Sequence, residues 1–208
     1  MCFSAPASLI AGGALSSAGA LSLKMAGKTP RRAIAAVPLV FGIHQLMEGV
    51  VWISLGEPRV HAAATVGYLL IAYVLWPTYL PYAVWRDETG PRRKKALAWF
   101  VWFGTAVSLY LLFFILRGPV SATLLGGGIA YDVPLPNYAV IPGAYVLATC
   151  GSCFVSSHKY IRVFGMALIA SLGIAYGYYL HAFASVWCFF AAILSLIIFV
   201  HLRQKPLA

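Results

Sequence analysis

Charged residues are scarce in this sequence, and acidic residues are the scarcest. Only 10% of the 208 residues are charged, with 15 Lys and Arg against 5 Asp and Glu. A soluble domain of this length carries roughly 25% charged residues, so the composition excludes an ordinary water-soluble fold. The sequence is 62% hydrophobic with a mean hydropathy of +0.85, which is typical of a multi-pass membrane protein in which residues 1–208 form one domain.

Short motifs of several enzyme and cofactor classes are also absent. The sequence has no GxSxG or HExxH motif and no glycine loop that could bind phosphate. The last apolar run has no lysine for a retinal Schiff base, and it lacks the paired histidines of intramembrane zinc hydrolases. A metal site formed by His44, Asp132 and His181 is therefore not supported. The four cysteines indicate no disulfide framework, and we expect neither a cofactor nor a metal.

Seven apolar runs are each long enough to cross a bilayer, which takes about 20 helical residues. The runs are 5–24, 33–55, 62–85, 96–116, 138–157, 163–181 and 184–202. The sequence therefore predicts an all-α membrane protein, a bundle of seven transmembrane helices. Pro77 and Pro81, one turn apart, predict a kink near Trp76. Close helix packing is predicted by small residues in runs one and six, namely Gly12, Gly13, Ser16, Ser17, Gly19, Gly173 and Gly177.

Basic residues are concentrated in alternate loops. Thirteen Lys and Arg residues follow runs one, three, five and seven, whereas only Arg59 and Arg117 fall on the opposite side. The positive-inside rule then places the N-terminus outside and the C-terminus in the cytoplasm. We interpret the basic loops as topology signals that can contact anionic lipids. Membrane lipids are therefore expected partners and nucleic acid is not.

An acidic residue lies inside the second run. On a helical wheel Glu48 shares a polar face with His44, Gln45 and Trp52, and the opposite face is aliphatic. A carboxylate in hydrocarbon costs several kcal/mol, so it normally faces the bundle interior or a wet cavity and has a partner. His44, one turn earlier, is the nearest candidate partner. The pair could be a structural lock between helices or part of a binding site.

Other polar and reactive side chains are predicted at the same depth as Glu48, in the outer half of the bundle. They are Cys2, Ser4, His181, Ser185, Trp187 and Cys188, and Asp132 of the long outer connection is a further candidate ligand. The inner half has Cys150 and Cys153, whose spacing we interpret as helix packing, and no buried charge is expected there. This asymmetry predicts a candidate ligand site in the outer half of the bundle.

Some of these residues also have a structural interpretation. Trp52 and Trp187 could be anchors in an aromatic belt or could stack on a ligand. Cys2 and Cys188 could form a disulfide or a thiol site, or could be two buried free thiols.

The histidines outside the second run are expected near surfaces. His181 could be an interfacial side chain or a ligand. His201 is expected at the membrane interface, and His61 and His158 are expected to be solvated in short loops.

The longest connection, residues 117–137, is apolar and contains three consecutive glycines. Long ordered loops in compact domains are often lids or binding elements. This segment could form an interfacial cap carrying Tyr131 and Asp132, or it could be a flexible surface loop.

Four motifs spread over the chain are distinctive. They are the opening Met1-Cys2-Phe3-Ser4-Ala5, the run Gln45…Glu48-Gly49…Trp52, the step Trp76-Pro77, and Ser185-Val186-Trp187-Cys188-Phe189-Phe190. With these motifs the sequence resembles a bacterial family of multi-pass membrane proteins classified as a domain of unknown function. The resemblance implies seven helices and no particular substrate. It carries over Cys2, Ser4, Glu48, Trp52, Trp187 and Cys188, but not His44 or His181.

Three functional hypotheses remain. The first is binding or transport of a small molecule, ion, proton or lipid in a pocket in the outer half of the bundle. The second is a membrane-embedded enzyme, thiol- or metal-dependent, acting on a lipid or another hydrophobic substrate. The third is a structural or assembly protein in which Glu48 only holds helices together. The oligomeric state stays open.

Overall fold

The computed structural model describes residues 4–136 and 140–203. Most of them form helices, with one short β-hairpin between the fourth and fifth. The elements are α1 Ala5–Ala26, α2 Arg32–Ile53, α3 Pro58–Asp87, α4 Pro91–Arg117, β1 Ser121–Leu125, β2 Gly128–Asp132, α5 Ile141–Val155, α6 Lys159–Tyr178 and α7 Leu180–Leu202. Six of the helices, all except α5, are long and apolar enough to cross a membrane, as expected of a multi-pass membrane protein.

The fifth predicted span is shorter than the sequence indicated. Helix α5 has fewer than 18 residues, whereas a perpendicular crossing takes about 20. Residues 138 and 139 of the predicted run 138–157 lie outside the described residues. Helix α5 has a proline at its second position and contains a π segment, Leu147–Gly151.

The segment after α4 is an ordered hairpin, so the fold is not purely helical. Strands β1 and β2 pair antiparallel from Ser121 opposite Asp132 to Leu125 opposite Gly128. The two turn residues, Gly126 and Gly127, have φ of 61° and 78°, which a two-residue hairpin turn of the favoured twist requires. The interpretation of this connection as an ordered element is confirmed for residues 117–136, and the alternative of a flexible loop is wrong there; residue 137 lies outside the described residues.

Small residues bring α1 and α2 into close contact. A Cβ added at Gly12 would lie 2.7 Å from the Leu46 Cγ, and one at Gly19 would overlap the α2 backbone. The packing interpretation is thus confirmed for Gly12 and Gly19 of α1. Gly13 of α1 and Gly173 and Gly177 of α6 make no such contact among the described residues, since a Cβ added there would meet nothing within 4 Å.

The predicted irregularity in α3 takes the form of a π segment, Leu70–Leu75, just before Pro77. Pro77 has no N–H to donate to the preceding turn. Side chains of neighbouring helices satisfy freed carbonyls instead: the Tyr145 hydroxyl donates to Ala72 (2.6 Å), and Ser108 donates to another carbonyl of the segment (2.6 Å). Such repair is how membrane helices tolerate proline.

Successive loops meet at alternating ends of the bundle. At one end, Arg31 of the α1–α2 loop contacts both Asp87 and His201, at the ends of α3 and α7. At the other end, His61 at the start of α3 donates to the Ala122 carbonyl of the hairpin at 2.8 Å. We call these the basic end and the hairpin end. The alternation places the N-terminal end of α1 at the hairpin end.

Candidate functional site

Glu48 lies in the interior between α2 and α7. Its side chain is fully buried, and the Ser185 hydroxyl of α7 donates to its carboxylate. From the sequence we predicted Ser185 at the depth of Glu48, but we expected His44 to be the partner of the carboxylate. The sheltered acid is therefore found where the sequence predicted it, and a serine from the last helix is bound to it.

His44 is held by aromatic neighbours on α3. The Trp76 indole nitrogen donates to His44 Nδ1 at 3.5 Å, and the ring of Tyr68 lies 4.5 Å from the imidazole centroid. Because Nδ1 accepts, the neutral ring carries its proton on Nε2. His44 therefore presents an N–H donor on the side away from Trp76.

Two neighbouring side chains on α2 have unsatisfied polar atoms. His44 Nε2 and both amide atoms of Gln45 are buried and have no hydrogen-bonding partner among residues 4–136 and 140–203. Leaving a buried polar group unsatisfied costs about 1–3 kcal/mol, and native interiors do so rarely. Three such atoms on consecutive residues, one turn before Glu48, indicate a place for water or a small polar ligand.

The β-hairpin closes this region from the hairpin end. Tyr131 of β2 stacks on Tyr68 with centroids 3.9 Å apart and planes 3° apart, and Tyr68 in turn contacts His44. Ile129 and Val133 are buried beside Tyr68. The ordered segment is thus a cap over the region around Glu48, His44 and Gln45, which we call the Glu48 chamber.

Cys188 borders the Glu48 chamber, whereas the other described cysteines pack helices. Cys188 is buried in the same hydrophobic cluster as Tyr68. Cys150 and Cys153 are buried free thiols, and a Cβ added at Gly165 of α6 would lie 2.6 Å from the Cys153 Cβ. The packing interpretation of these two is confirmed. Cys2 lies outside the described residues.

The two candidate tryptophans differ. Trp187 is buried and donates to the Leu168 carbonyl of α6 at 3.1 Å, so it is not an aromatic-belt anchor. Trp52 is half-buried against the hydrophobic cluster that includes Tyr68 and Ile129. Its indole nitrogen is buried without a hydrogen-bonding partner in the described part of the chain. Trp52 therefore resembles His44 and Gln45 in having an unused polar atom.

Three predicted ligand residues lie at the margin. Ser4 caps α1 by accepting from the Ala7 nitrogen at 3.4 Å. Asp132 is exposed at the end of β2, and His181 is exposed in the turn that starts α7. The structure does not bring Asp132 or His181 into the buried interior that holds Glu48; the hairpin contributes Tyr131 instead.

A small cavity lies next to the Glu48 chamber on the side of the basic end. It measures about 30 Å³, and its walls include Trp76, Cys188 and Tyr145. This volume holds one or two water molecules. A lipid headgroup or a metabolite does not fit in this conformation.

The basic end contains a second buried acidic group that the sequence analysis missed. Asp87 Oδ2 lies 2.7 Å from His201 Nε2 and 3.5 Å from His158 Nε2, and Oδ1 lies 3.4 Å from Arg31 Nε. The expectation of no buried charge in this half is wrong. His201 is buried in the last turn of α7, and His158, like His61, is hydrogen-bonded rather than solvated.

Glu88, next to Asp87, anchors the α5–α6 loop. Its carboxylate accepts from the Ser157 nitrogen (2.7 Å), the Ser157 hydroxyl (2.9 Å) and the Gly90 nitrogen (2.9 Å). Burial raises the pKa of Glu88, but these hydrogen bonds outweigh burial and hold the pKa below its ordinary value. The sequence did contain one signal for these contacts. Because successive loops alternate between the two sides of the membrane, residues 27–31, 86–90 and 156–158 are all expected on the same side.

Comparison with known proteins places the whole chain in one family. No curated protein and no solved structure is significantly similar to it. The model of a family of unknown function, DUF6629, matches residues 1–208. The chain therefore belongs to the family of unknown function DUF6629.

Proposed function

We propose that this membrane protein binds a small cation or a proton at Glu48. The observation that carries the proposal is a fully buried carboxyl group one turn from His44 and Gln45, whose buried polar atoms are unsatisfied within residues 4–136 and 140–203. Intramembrane acids are costly and usually mark ion or proton sites. The amide oxygen of Gln45 adds a neutral oxygen ligand beside the carboxylate.

The size of the interior favours an occupant of one or a few atoms. The neighbouring cavity is about 30 Å³, and the hairpin closes the hairpin end through the Tyr131–Tyr68 stack. A proton, a bare monovalent cation or one of these with a water molecule fits such a space. The buried thiols of Cys150, Cys153 and Cys188 give a thiol-dependent enzyme no support.

We infer further that the bundle crosses a bacterial plasma membrane seven times, with its N-terminus outside. The inference is supported by the thirteen-to-two distribution of Lys and Arg between the two sets of loops. Helix α5 then crosses as a short segment preceded by residues 137–140. The Glu48 chamber lies towards the outer leaflet in this orientation.

The proposal is tested on the full chain purified into lipid nanodiscs. Infrared difference spectra between pH 5 and 9 are expected to show a buried carboxyl band that titrates and is absent in Glu48→Gln. Alternatively, Na⁺ or K⁺, but not choline, raises the melting temperature of the wild type and not of Glu48→Gln. Glu57→Gln removes an exposed acid at the hairpin end and serves as the matched control.

Two further variants guard against a folding defect in Glu48→Gln. Gln45→Leu and Ser185→Ala keep the carboxyl group but alter its surroundings, so each should shift the band or weaken the cation effect. If the wild type shows neither a titrating buried carboxyl group nor a selective cation effect, the proposal is wrong. Glu48 then has the purely structural role of holding helices together.

A further inference from the structure

Three potential metal ligands converge at the basic end, each from a different element. Asp87 ends α3, His158 immediately precedes α6, and His201 lies in the last turn of α7. Their ligand atoms all lie within 4.8 Å of one another. The side chains of Asp87, His158 and His201 are 1%, 11% and 3% exposed, so this is a buried site and not a surface cluster.

We propose that Asp87, His158 and His201 bind a divalent transition-metal ion of the zinc class. Two imidazoles and one carboxylate form a ligand set that suits Zn²⁺ or Fe²⁺. Three protein ligands leave a fourth position for water or another small ligand, as catalytic zinc sites do. The site lies at the opposite end of the bundle from Glu48 and does not depend on the function proposed there.

The distances fit such an ion with small adjustments. A tetrahedral zinc with bonds of about 2.0–2.1 Å separates its ligand atoms by roughly 3.3 Å. The 3.5 Å between His158 Nε2 and Asp87 Oδ2 already agrees. The 2.7 Å between His201 Nε2 and the same oxygen has to lengthen by less than an ångström, which side-chain rotation supplies. Binding also breaks the hydrogen bond from His158 Nε2 to the Asp87 carbonyl at 3.2 Å, so three metal bonds replace two direct hydrogen bonds.

Neighbouring groups orient the ligands as an outer coordination shell does. Arg31 Nε lies 3.4 Å from Asp87 Oδ1, which leaves Oδ2 facing both imidazoles. Glu88 fixes the backbone of Ser157, directly before His158. Outer-shell contacts of this kind set ligand orientation and metal affinity.

Arg31 also places a positive charge beside the proposed ion. Its Nη2 lies 3.3 Å from His201 Nε2 and donates to the His201 carbonyl at 3.0 Å. The Arg31 side chain is 18% exposed, so it can move towards solvent when the ion binds. We expect Arg31→Gln to retain metal binding, because the variant keeps all three ligands and removes a charge that opposes the ion, while the glutamine amide can still donate to Asp87 Oδ1 in place of the guanidinium.

The proposal is tested with Co²⁺, a spectroscopic substitute for Zn²⁺, on the full chain after chelator treatment. The wild type is expected to bind one equivalent, with visible d–d absorption that Zn²⁺ abolishes by displacement. Asp87→Asn, His158→Gln and His201→Gln should each weaken binding at least about tenfold. His61→Gln at the hairpin end is the matched histidine control, and Glu57→Gln, which removes an exposed acid outside both proposed sites, is the acid control; both should bind as the wild type does.

The opposing explanation is an ion-pair tie between helix ends that holds no metal. It predicts that the wild type shows no d–d absorption and no Zn²⁺-dependent rise in melting temperature, and these two results together overturn the proposal. Absorption that persists in all three ligand variants, or is lost in His61→Gln, also overturns it. His158 is the most exposed of the three ligands, so His158→Gln decides the question if Asp87→Asn or His201→Gln does not fold.

Discussion

The two ends of the bundle stabilise a buried acid in different ways. Glu48 lies in the middle of α2, where the Ser185 hydroxyl donates to it, whereas Asp87 lies at the end of α3 and contacts Arg31 and two histidines. The basic loops reach only the helix ends. A mid-helix acid therefore depends on side chains from within the bundle, while an acid at a helix end can pair with cations from the loops.

The consequence is that, among the described residues, the surroundings of Glu48 have unused hydrogen-bonding groups, whereas the charged groups of the basic end contact one another. Beside Glu48, the polar atoms of Gln45 and the Nε2 of His44 are unsatisfied in the described part of the chain. At the basic end both imidazoles and the guanidinium contact Asp87 or its backbone. We therefore expect loss of Asp87 to be costly for folding and loss of Glu48 to affect ligand binding more than folding.

The largest effect is expected for Asp87→Asn. Removing the carboxylate leaves Arg31 and two histidines beside a neutral amide, and breaking a buried ion pair costs about 3–5 kcal/mol. Partial exposure of Arg31 reduces this, so the expected loss of unfolding free energy is about 3 kcal/mol. The measurement is denaturant unfolding in mixed micelles.

Asp132→Asn is the matched control, because Asp132 is exposed and such substitutions usually change stability by less than about 0.5 kcal/mol. A loss for Asp87→Asn no larger than that of Asp132→Asn would remove the contrast between the two ends.

The next effect is expected for Tyr131→Ala, which removes the stack between the hairpin cap and Tyr68. Truncating a large core aromatic costs about 3–5 kcal/mol; Tyr131 is half-buried, so about 2 kcal/mol is expected. The variant should also expose Cys188 to a water-soluble maleimide. Leu124→Ala, on the exposed side of the same hairpin, should leave labelling unchanged. Equal labelling rates in the two variants would mean that Tyr131 does not close the chamber.

A smaller effect on folding is expected for Glu48→Gln. Glutamine has nearly the same size, keeps an oxygen that can accept from Ser185 and removes a group whose charged form is costly to bury. We expect a change in unfolding free energy below about 1 kcal/mol, measured as for Asp87→Asn. A loss equal to that of Asp87→Asn would show that both acids are primarily structural.

The sequence was sufficient to predict the long helices and one of the two buried acids, Glu48, but not the other, Asp87. Run length and hydropathy were sufficient for the six long helices, and the cost of a mid-span carboxylate was sufficient to place Glu48 inside the bundle. Asp87 was missed because it follows the apolar run and could equally have been solvated; only the fold shows that Arg31, His158 and His201 surround it. The hairpin was not predicted as a pair of strands. The Gly126–Gly127 turn was its only signal, because the residues on both sides of the turn are mostly apolar and resemble a lipid-facing segment.

The smallest effect is expected from acidification at the basic end, through Glu88. Its hydrogen bonds to Ser157 and Gly90 hold its pKa below the ordinary 4.5, so the unfolded chain binds the proton more tightly than the folded chain does. The stabilisation is therefore complete above the ordinary pKa and is lost as the pH falls through the folded value. Melting temperature measured from pH 7 downwards should fall less steeply in Glu88→Gln than in the wild type, while Glu57→Gln, which removes an exposed acid, should follow the wild type.

Parallel curves for wild type and Glu88→Gln would mean that the Ser157 contact does not favour the ionised carboxylate, and the anchoring of the His158 loop would then have to come from Asp87 alone.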